Sequence, residues 1–180
     1  ECLLCHQTTK MSTITKYGKN GEIEYKLMAI ITKGKHGRNY LSPKHDDFNY
    51  SKLKKPESIP DLEILYNGRY MTVPEYGYTK FSDLFTTRQL IAITTFRDLI
   101  LEMKEIIEHD AINAGFVNDG KSLDENGLGA KAYSEAIICY LAFILDRCVH
   151  SWSSFSFWAN SFIVPTFSRQ ALQMIWDFPN

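Results

Sequence analysis

Two cysteines and a histidine stand together near the start of the chain, in the stretch ECLLCH. Cys2 and Cys5 are separated by two residues, a spacing that lets both sulfurs bind one zinc ion, and His6 follows them. Tetrahedral zinc requires four ligands, so the pair predicts half of a zinc ribbon whose second pair of cysteines is missing from these residues. The same letters also match the C-x-x-C-H signature of haem attachment. A metal-free pair of thiols is the third alternative.

The remaining cysteines do not complete a zinc site in an obvious way. Cys139 and Cys148 are nine residues apart in a predicted helix, which places them on opposite faces. Four unevenly spaced cysteines are also too few for the disulfide framework of a secreted protein. There is no signal peptide and no apolar run approaches the length of a membrane helix, so a cytoplasmic protein without a membrane partner is expected.

The charge is divided unevenly between the two ends of the chain. Residues 1–60 carry 11 Lys and Arg against 6 Asp and Glu, a net charge of +5, whereas the remaining residues have a net charge of −6. The stretch KGKHGR places Lys33, Lys35 and Arg38 close together. A basic N-terminal region suits nucleic-acid binding, and the alternative is a set of solvated cations on a small sheet.

Two further arginines are candidates for phosphate contact. Arg88 and Arg169 are each predicted in the first turn of a helix, where the macrodipole disfavours a cation. A phosphate drawn to the free backbone N–H groups there would offset this cost. A neighbouring carboxylate, such as that of Asp83 or Asp177, would do the same.

The N-terminal third has the alternating, β-branched pattern of strands. STITKY, EIEYKLMAIIT and NYLS, separated by Gly-containing turns, predict a three-stranded antiparallel meander over residues 11–41. A polar, proline-containing stretch follows. Asn67 and Gly68 then predict a hairpin with a two-residue turn in which both residues have positive φ.

From residue 81 the apolar period changes to three and four, which predicts helices. Thr86 and Gln89 form a capping box for a helix near 86–114, and Gly115 can end it. A second helix near 130–152 has an uncharged centre, residues 136–145, which predicts burial on nearly every side. A last short helix is expected in FSRQALQMIWDF.

These patterns predict an α+β fold. We expect a partial zinc-ribbon-like β-module at 1–42, a linker and possible hairpin at 43–80, and a mainly helical domain at 81–180.

No catalytic residue is predicted. G-x-S-x-G, Walker and H-E-x-x-H motifs are absent, and NGLGAK is a weak candidate for a phosphate loop because it follows no strand. A cluster of tyrosines beside Arg69 and Lys80 could stack bases or simply pack together. Its members are Tyr66, Tyr70, Tyr76 and Tyr78.

Three segments, in order, carry a family resemblance. KFSDLFTTRQLIAITTFRDLILEM, YLAFILDR and TFSRQALQMIWDF resemble parts of a family of large bacterial and archaeal adenine-specific DNA methylases that contain a zinc ribbon. Thr87 stands where the family pattern has proline, and Ser168 where it has glycine. The resemblance covers about a hundred residues, and both substitutions still allow a helix to begin.

The resemblance implies that the chain is an internal fragment of a larger enzyme. Such an enzyme transfers a methyl group from S-adenosylmethionine to adenine N6, using a Gly-rich cofactor loop and a D/N-P-P-Y/F/W motif, and this chain contains neither. It also implies that ECLLCH is the second of two cysteine knuckles. The expected function is therefore a scaffolding or DNA-contacting region that is inactive by itself. The alternative is a stand-alone interaction or regulatory module that is not an enzyme.

Overall fold

The described chain consists of helices and short two-stranded hairpins. The computed structural model describes residues 5–44, 53–59 and 61–179. In chain order the elements are α1 (Met11–Lys19), β1 (Ile30–Gly34), β2 (Gly37–Leu41), α2 (Thr87–Asn113), α3 (Ala130–Ser151), β3 (Phe157–Ala159) and β4 (Phe162–Val164). Two 3₁₀ helices, Val73–Tyr76 and Phe81–Leu84, lie between β2 and α2. The predicted α+β class is therefore confirmed at this level.

The N-terminal meander was predicted with one strand too many. STITKY lies in α1, and only the antiparallel pair β1–β2 follows it. α1 packs by close backbone approach, because a Cβ on Gly18 would clash with the carbonyl oxygen of Tyr76. Gly77, which has a φ of 91°, meets Gly18 from the other side. This tertiary contact overrides the β-branched preference of the segment.

The helices α2 and α3 are both present, as the apolar period predicted, and they pack together as an antiparallel pair. The capping box is present: Thr86 N–H donates to Gln89 Oε1 at 2.9 Å, and Gln89 N–H donates to Thr86 Oγ1 at 3.3 Å. The rings of Phe96 and Trp152 are 5.9 Å apart at one end of the pair. Within the described ranges, neither helix combines the length and the apolar content needed to cross a membrane.

The centre of α3 was predicted to be buried, and this was wrong for the described chain. Tyr140 is 68% exposed, Phe143 is 65% exposed and Ile144 is 61% exposed. The lack of charge in this segment indicates an apolar surface, but a helix in a two-helix pair has only one neighbour to cover it. The apolar residues of α3 that face away from α2 are left in contact with solvent.

The hydrophobic core lies at the base of the helix pair. It is formed by Ile64, Val73, Tyr78, Leu84, Phe155 and Leu172. Buried serines that follow α3 close this core: Ser153 Oγ and Ser154 Oγ donate to the carbonyl oxygen of Leu84 at 2.9 and 2.8 Å, and Ser154 N–H donates to it at 2.9 Å. These hydrogen bonds join the segment before the N-terminus of α2 to the segment after the C-terminus of α3.

The predicted last helix does not form. Leu172 instead lies beside residues 70–72: its N–H donates to Tyr70 O at 2.7 Å, and its carbonyl accepts from Thr72 N–H at 3.1 Å. An extended backbone here lets Leu172 enter the core while its peptide groups are satisfied by the neighbouring segment.

The turn at Asn67 also differs from the prediction. Asn67 pairs with Met71, so three residues lie in the turn, and neither Asn67 nor Gly68 has positive φ. The Asn67 side chain accepts the N–H groups of Arg69 and Tyr70, at 3.0 and 3.2 Å. An Asx-type turn has therefore replaced the two-residue hairpin turn.

The core can be tested at Leu84, which has no exposed surface. Leu84→Ala should lower the free energy of unfolding by about 2–5 kcal/mol, because it leaves a cavity beneath the helix pair. Leu101→Ala removes the same atoms from a side chain that is 62% exposed, and it should change that free energy by about 0.5 kcal/mol or less. Urea unfolding followed by tryptophan fluorescence measures both. Equal effects of the two substitutions would contradict this description of the core.

Candidate nucleic-acid interface

The β1–β2 hairpin concentrates positive charge. Residues 25–44 contain five Lys or Arg and no Asp or Glu. Gly34 pairs with Gly37, so Lys35 lies in the two-residue link, and Lys33 lies directly opposite Arg38. Like charges at directly opposed positions destabilise an antiparallel pair. Lys33 and Arg38 therefore weaken the hairpin slightly unless a contact outside it offsets their repulsion.

The β3–β4 hairpin supplies such contacts for Arg38. Arg38 Nη1 donates to the carbonyl oxygen of Asn160 at 2.5 Å, and Nη2 donates to that of Ser161 at 3.3 Å. The guanidinium carbon also lies 4.7 Å from the centre of the Trp158 ring, a cation–π contact. Arg38 is thus the side chain that docks one hairpin on the other.

A shallow groove of about 540 Å³ lies where the two hairpins meet. Lys33, Lys35, Arg38 and Trp158 contribute to its walls. Neither Lys33 nor Lys35 forms an ion pair with any residue that the structure describes. The groove therefore combines cations that lack a carboxylate partner among those residues with the face of an aromatic ring.

Two lysines outside the hairpin show what an ion pair with a carboxylate looks like in this structure. Lys80 Nζ lies 2.6 Å from an Asp61 carboxylate oxygen, and this contact raises the pKa of Lys80. Lys104 Nζ lies 2.9 Å from a Glu135 carboxylate oxygen. The hydrogen bond from the Leu123 N–H, together with the contact from Lys104, holds the pKa of the Glu135 carboxyl below its usual value. Lys33 and Lys35 differ from Lys80 and Lys104 because no such carboxylate lies beside them among the described residues.

Three of the five predicted nucleic-acid residues, Lys33, Lys35 and Arg38, meet at this groove, and the other two do not. Arg88 lies in the first turn of α2, as expected. Arg169 was predicted in the first turn of a helix, and this was wrong, since it lies in an irregular segment after β4.

Arg169 lines a separate cavity of about 100 Å³, together with Phe155 and Phe157. Phe157 and Trp158 are consecutive in β3 and so point to opposite faces. The Arg169 cavity and the groove are therefore on opposite sides of the β3–β4 hairpin.

Two tyrosines of the predicted cluster interact with other residues of the chain. Tyr78 packs edge-on against Phe155, with ring centres 4.9 Å apart, and burial together with the Tyr25 hydroxyl raises its pKa. Tyr66 donates to Glu75 at 2.6 Å, which also raises the pKa of Tyr66. The aromatic residue at the basic groove is Trp158, which sequence reasoning missed. The alternation of FWA and FIV around Asn-Ser is the signal that could have revealed it.

The NGLGAK loop is occupied by the protein's own groups. The Asp119 carboxylate accepts the N–H groups of Lys121 and Leu128, at 3.1 and 3.3 Å, and these bonds lower its pKa. A Cβ on Gly127 would clash with the carbonyl oxygen of Lys121, and one on Gly129 would clash with that of Val117. The glycines are explained by the packing of the loop on itself, so they do not fit a cradle for S-adenosylmethionine.

The predicted zinc ligands can be examined only in part. Cys2 lies outside the described residues, and Cys5 is a free, exposed cysteine. Over residues 5–44, 53–59 and 61–179, no three His, Cys, Asp or Glu side chains converge on a point that could hold a metal ion. This part of the chain therefore does not fit a zinc site.

No family model, curated protein or solved structure matches this chain.

Arg38 and Lys33 should respond differently to substitution although they lie opposite each other. Arg38→Ala should lower the free energy of unfolding by about 1–2 kcal/mol, because it removes the cation–π contact and two charge-assisted hydrogen bonds. Lys33→Ala should leave that free energy unchanged or raise it slightly, since it relieves a like-charge pair. Urea unfolding of the two variants measures the difference. Equal destabilisation would show that Arg38 has no special docking role.

Proposed function

We propose that this chain is a DNA-contacting region, and that the contact is made by the groove between the β1–β2 and β3–β4 hairpins. One observation supports this above the others: Lys33 and Lys35 lie beside Trp158 without a carboxylate partner among the described residues. Two such cations at the rim of an open groove attract a polyanion, and DNA phosphates release counterions when they bind lysine.

The division of labour in the groove follows from the chemistry of the side chains. Lys33 and Lys35 contact phosphates, and these contacts carry no sequence information. Arg38 is already engaged by two carbonyl groups and by Trp158, so its main task is to hold the groove in shape. The exposed Tyr40, on the same face of the hairpin as Arg38, offers a second aromatic surface.

We further propose that the region belongs to an adenine-specific DNA methyltransferase of the cytoplasm. The three sequence segments that resemble the zinc-ribbon-containing methylases support this. S-adenosylmethionine would supply the methyl group in such an enzyme, and its cofactor loop and base-holding motif would lie elsewhere in the parent protein. No step of that reaction is assigned to the described residues, since their glycine loop does not fit the cofactor.

The proposal that residues 1–42 derive from a zinc ribbon rests on the resemblance and on the Cys2 and Cys5 pair. Ligands from another part of the parent protein would complete the site.

A stand-alone interaction module is the second candidate function. The observation that favours it is the exposed aromatic surface of α3, which includes Tyr140 and Phe143. A protein that acts by binding another protein needs such a surface, whereas DNA binding does not use it.

DNA binding should depend on the hairpin lysines and on salt. With about two phosphate contacts, from Lys33 and Lys35, the affinity for a fluorescein-labelled duplex should fall roughly 12-fold between about 50 and 200 mM salt. The double variant Lys33→Glu, Lys35→Glu should bind weakly. The slope of its log affinity against log salt concentration should be shallower by about 1.8, which corresponds to two phosphate contacts. Fluorescence anisotropy measures both quantities.

A matched control exists on α1. The double variant Lys16→Glu, Lys19→Glu makes the same change in net charge at exposed positions away from the groove. It should retain most of the wild-type affinity. Equal losses of DNA affinity in the two double variants would show that only the overall charge of the chain matters. No binding by the wild-type chain at low salt would refute the proposed contact.

The methyltransferase assignment makes a prediction about the parent gene. The coding sequence after residue 180 should encode a D/N-P-P-Y/F/W motif within some tens of residues, and the sequence before residue 1 should encode a Gly-rich cofactor loop and a first cysteine pair. Sequencing the flanking DNA tests this. A gene with neither feature would favour the stand-alone module.

A further inference from the structure

The cavity beside Arg169 has an apolar interior and a polar opening. It has a volume of about 100 Å³ and lies between β3 and the segment that follows β4. Three polar residues at its walls, Ser168, Arg169 and Gln173, are exposed. The large apolar side chains of the walls are buried or half-buried, and they belong to Phe155, Phe157, Pro165, Leu172 and Ile175. A mostly apolar cavity with a few polar groups is typical of a binding site for a small molecule.

A buried hydroxyl group in the wall of this cavity lacks a partner. Thr166 is 7% exposed, and its backbone N–H donates to the carbonyl oxygen of His150 at 3.0 Å. Its Oγ1 atom, in contrast, is buried without a hydrogen-bond partner among the residues that the structure describes. Buried polar groups in proteins are usually hydrogen-bonded, because leaving one unsatisfied costs free energy. The hydroxyl hydrogen of Thr166 can rotate towards an acceptor in the cavity.

The cation at the opening also lacks a partner. Arg169 forms no ion pair with Asp177, or with any other carboxylate in the part of the chain that the structure describes. A turn in which Ser168 N–H donates to the Pro165 carbonyl oxygen at 3.4 Å keeps Arg169 close to Thr166 in the chain. A guanidinium group binds a carboxylate through two parallel N–H groups.

The charge and the volume of the cavity limit the class of ligand. Among the described wall residues, Arg169 is the one cation, so the cavity matches a ligand with a single negative charge. Sites for drug-sized molecules have about 300–1,000 Å³, so the present volume suits only a short aliphatic group.

We propose that this cavity binds a short branched monocarboxylic acid. The aliphatic body occupies the apolar interior, and the carboxylate pairs with the Arg169 guanidinium and accepts the Thr166 hydroxyl. The site goes beyond the proposed DNA contact and is independent of it, because Phe157 and Trp158 point to opposite faces of the β3–β4 hairpin.

NMR titration of the nitrogen-labelled chain with isovalerate tests the proposal. Because the ligand is small, we expect a dissociation constant on the order of 1 mM. Amide signals of residues 155–175 should shift to saturation, whereas those of the basic hairpin, residues 30–41, should not. Isovaleramide has the same shape without the charge, and acetate has the charge without the aliphatic body. Each should bind about tenfold more weakly than isovalerate.

Two substitutions at the site separate binding from folding. Arg169→Gln removes the charge of an exposed side chain and should weaken isovalerate binding about tenfold. Arg147→Gln, which makes the same charge change at an exposed position of α3, should leave binding unchanged. Thr166→Val keeps the shape of the side chain and removes the unsatisfied hydroxyl. It should weaken binding about fivefold, while the unfolding midpoint of the ligand-free chain should stay the same or rise.

Several results would overturn the proposal. These are the absence of a saturable shift, shifts centred on residues 30–41, and equal binding of isovalerate and isovaleramide. Equal effects of the two arginine substitutions, or unchanged isovalerate binding by the Thr166→Val variant, would do the same.

Discussion

The carbonyl oxygen of Leu84 is the point on which the rest of the structure depends. It accepts two serine hydroxyls and one backbone N–H in a buried position, and the side chain of the same residue fills the core. A carbonyl left unsatisfied there would carry the full cost of its desolvation. Leu84 precedes α2 and the serines follow α3. The Leu84 carbonyl group therefore fixes the start of α2 relative to the end of α3, and with it the position at which β3 begins.

The position of β3 in turn determines the groove. Trp158 meets Arg38 only because the chain leaves the serine segment in a fixed direction and then reverses at Asn160 and Ser161. The basic hairpin contributes the charge, and the core contributes the frame that presents it. None of the exposed apolar side chains of α2 and α3 lines this groove.

Local signals predicted the parts of the fold that local interactions control. The capping box at Thr86 and the glycine after α2 act within one turn of chain, and both were found as expected. α1 and the extended segment at Leu172 were missed because their conformations depend on partners roughly 60 and 100 residues away in sequence, at Tyr76 and at Tyr70. Pattern reasoning contains no information about such partners.

The candidate site was predictable to the same degree. Charge counting identified Lys33, Lys35 and Arg38, which a single hairpin brings together. It could not find Trp158, which comes from a strand about 120 residues later. Arg169 was chosen because a last short helix was expected in FSRQALQMIWDF, and tertiary pairing prevents that helix. The prediction that the centre of α3 is buried was wrong for a different reason. An uncharged helix surface predicts contact with other apolar groups, but the pattern does not say whether those groups belong to the same chain.

The alternation of Phe157 and Trp158 makes the spacing between the buried serines and β3 critical. Because neighbouring residues of a strand face opposite ways, inserting or deleting one residue between Ser154 and Phe157 would exchange the ring beside the core for the ring beside the groove. In homologous proteins, the residue types of this segment should therefore vary far more freely than the number of residues between the serines and β3.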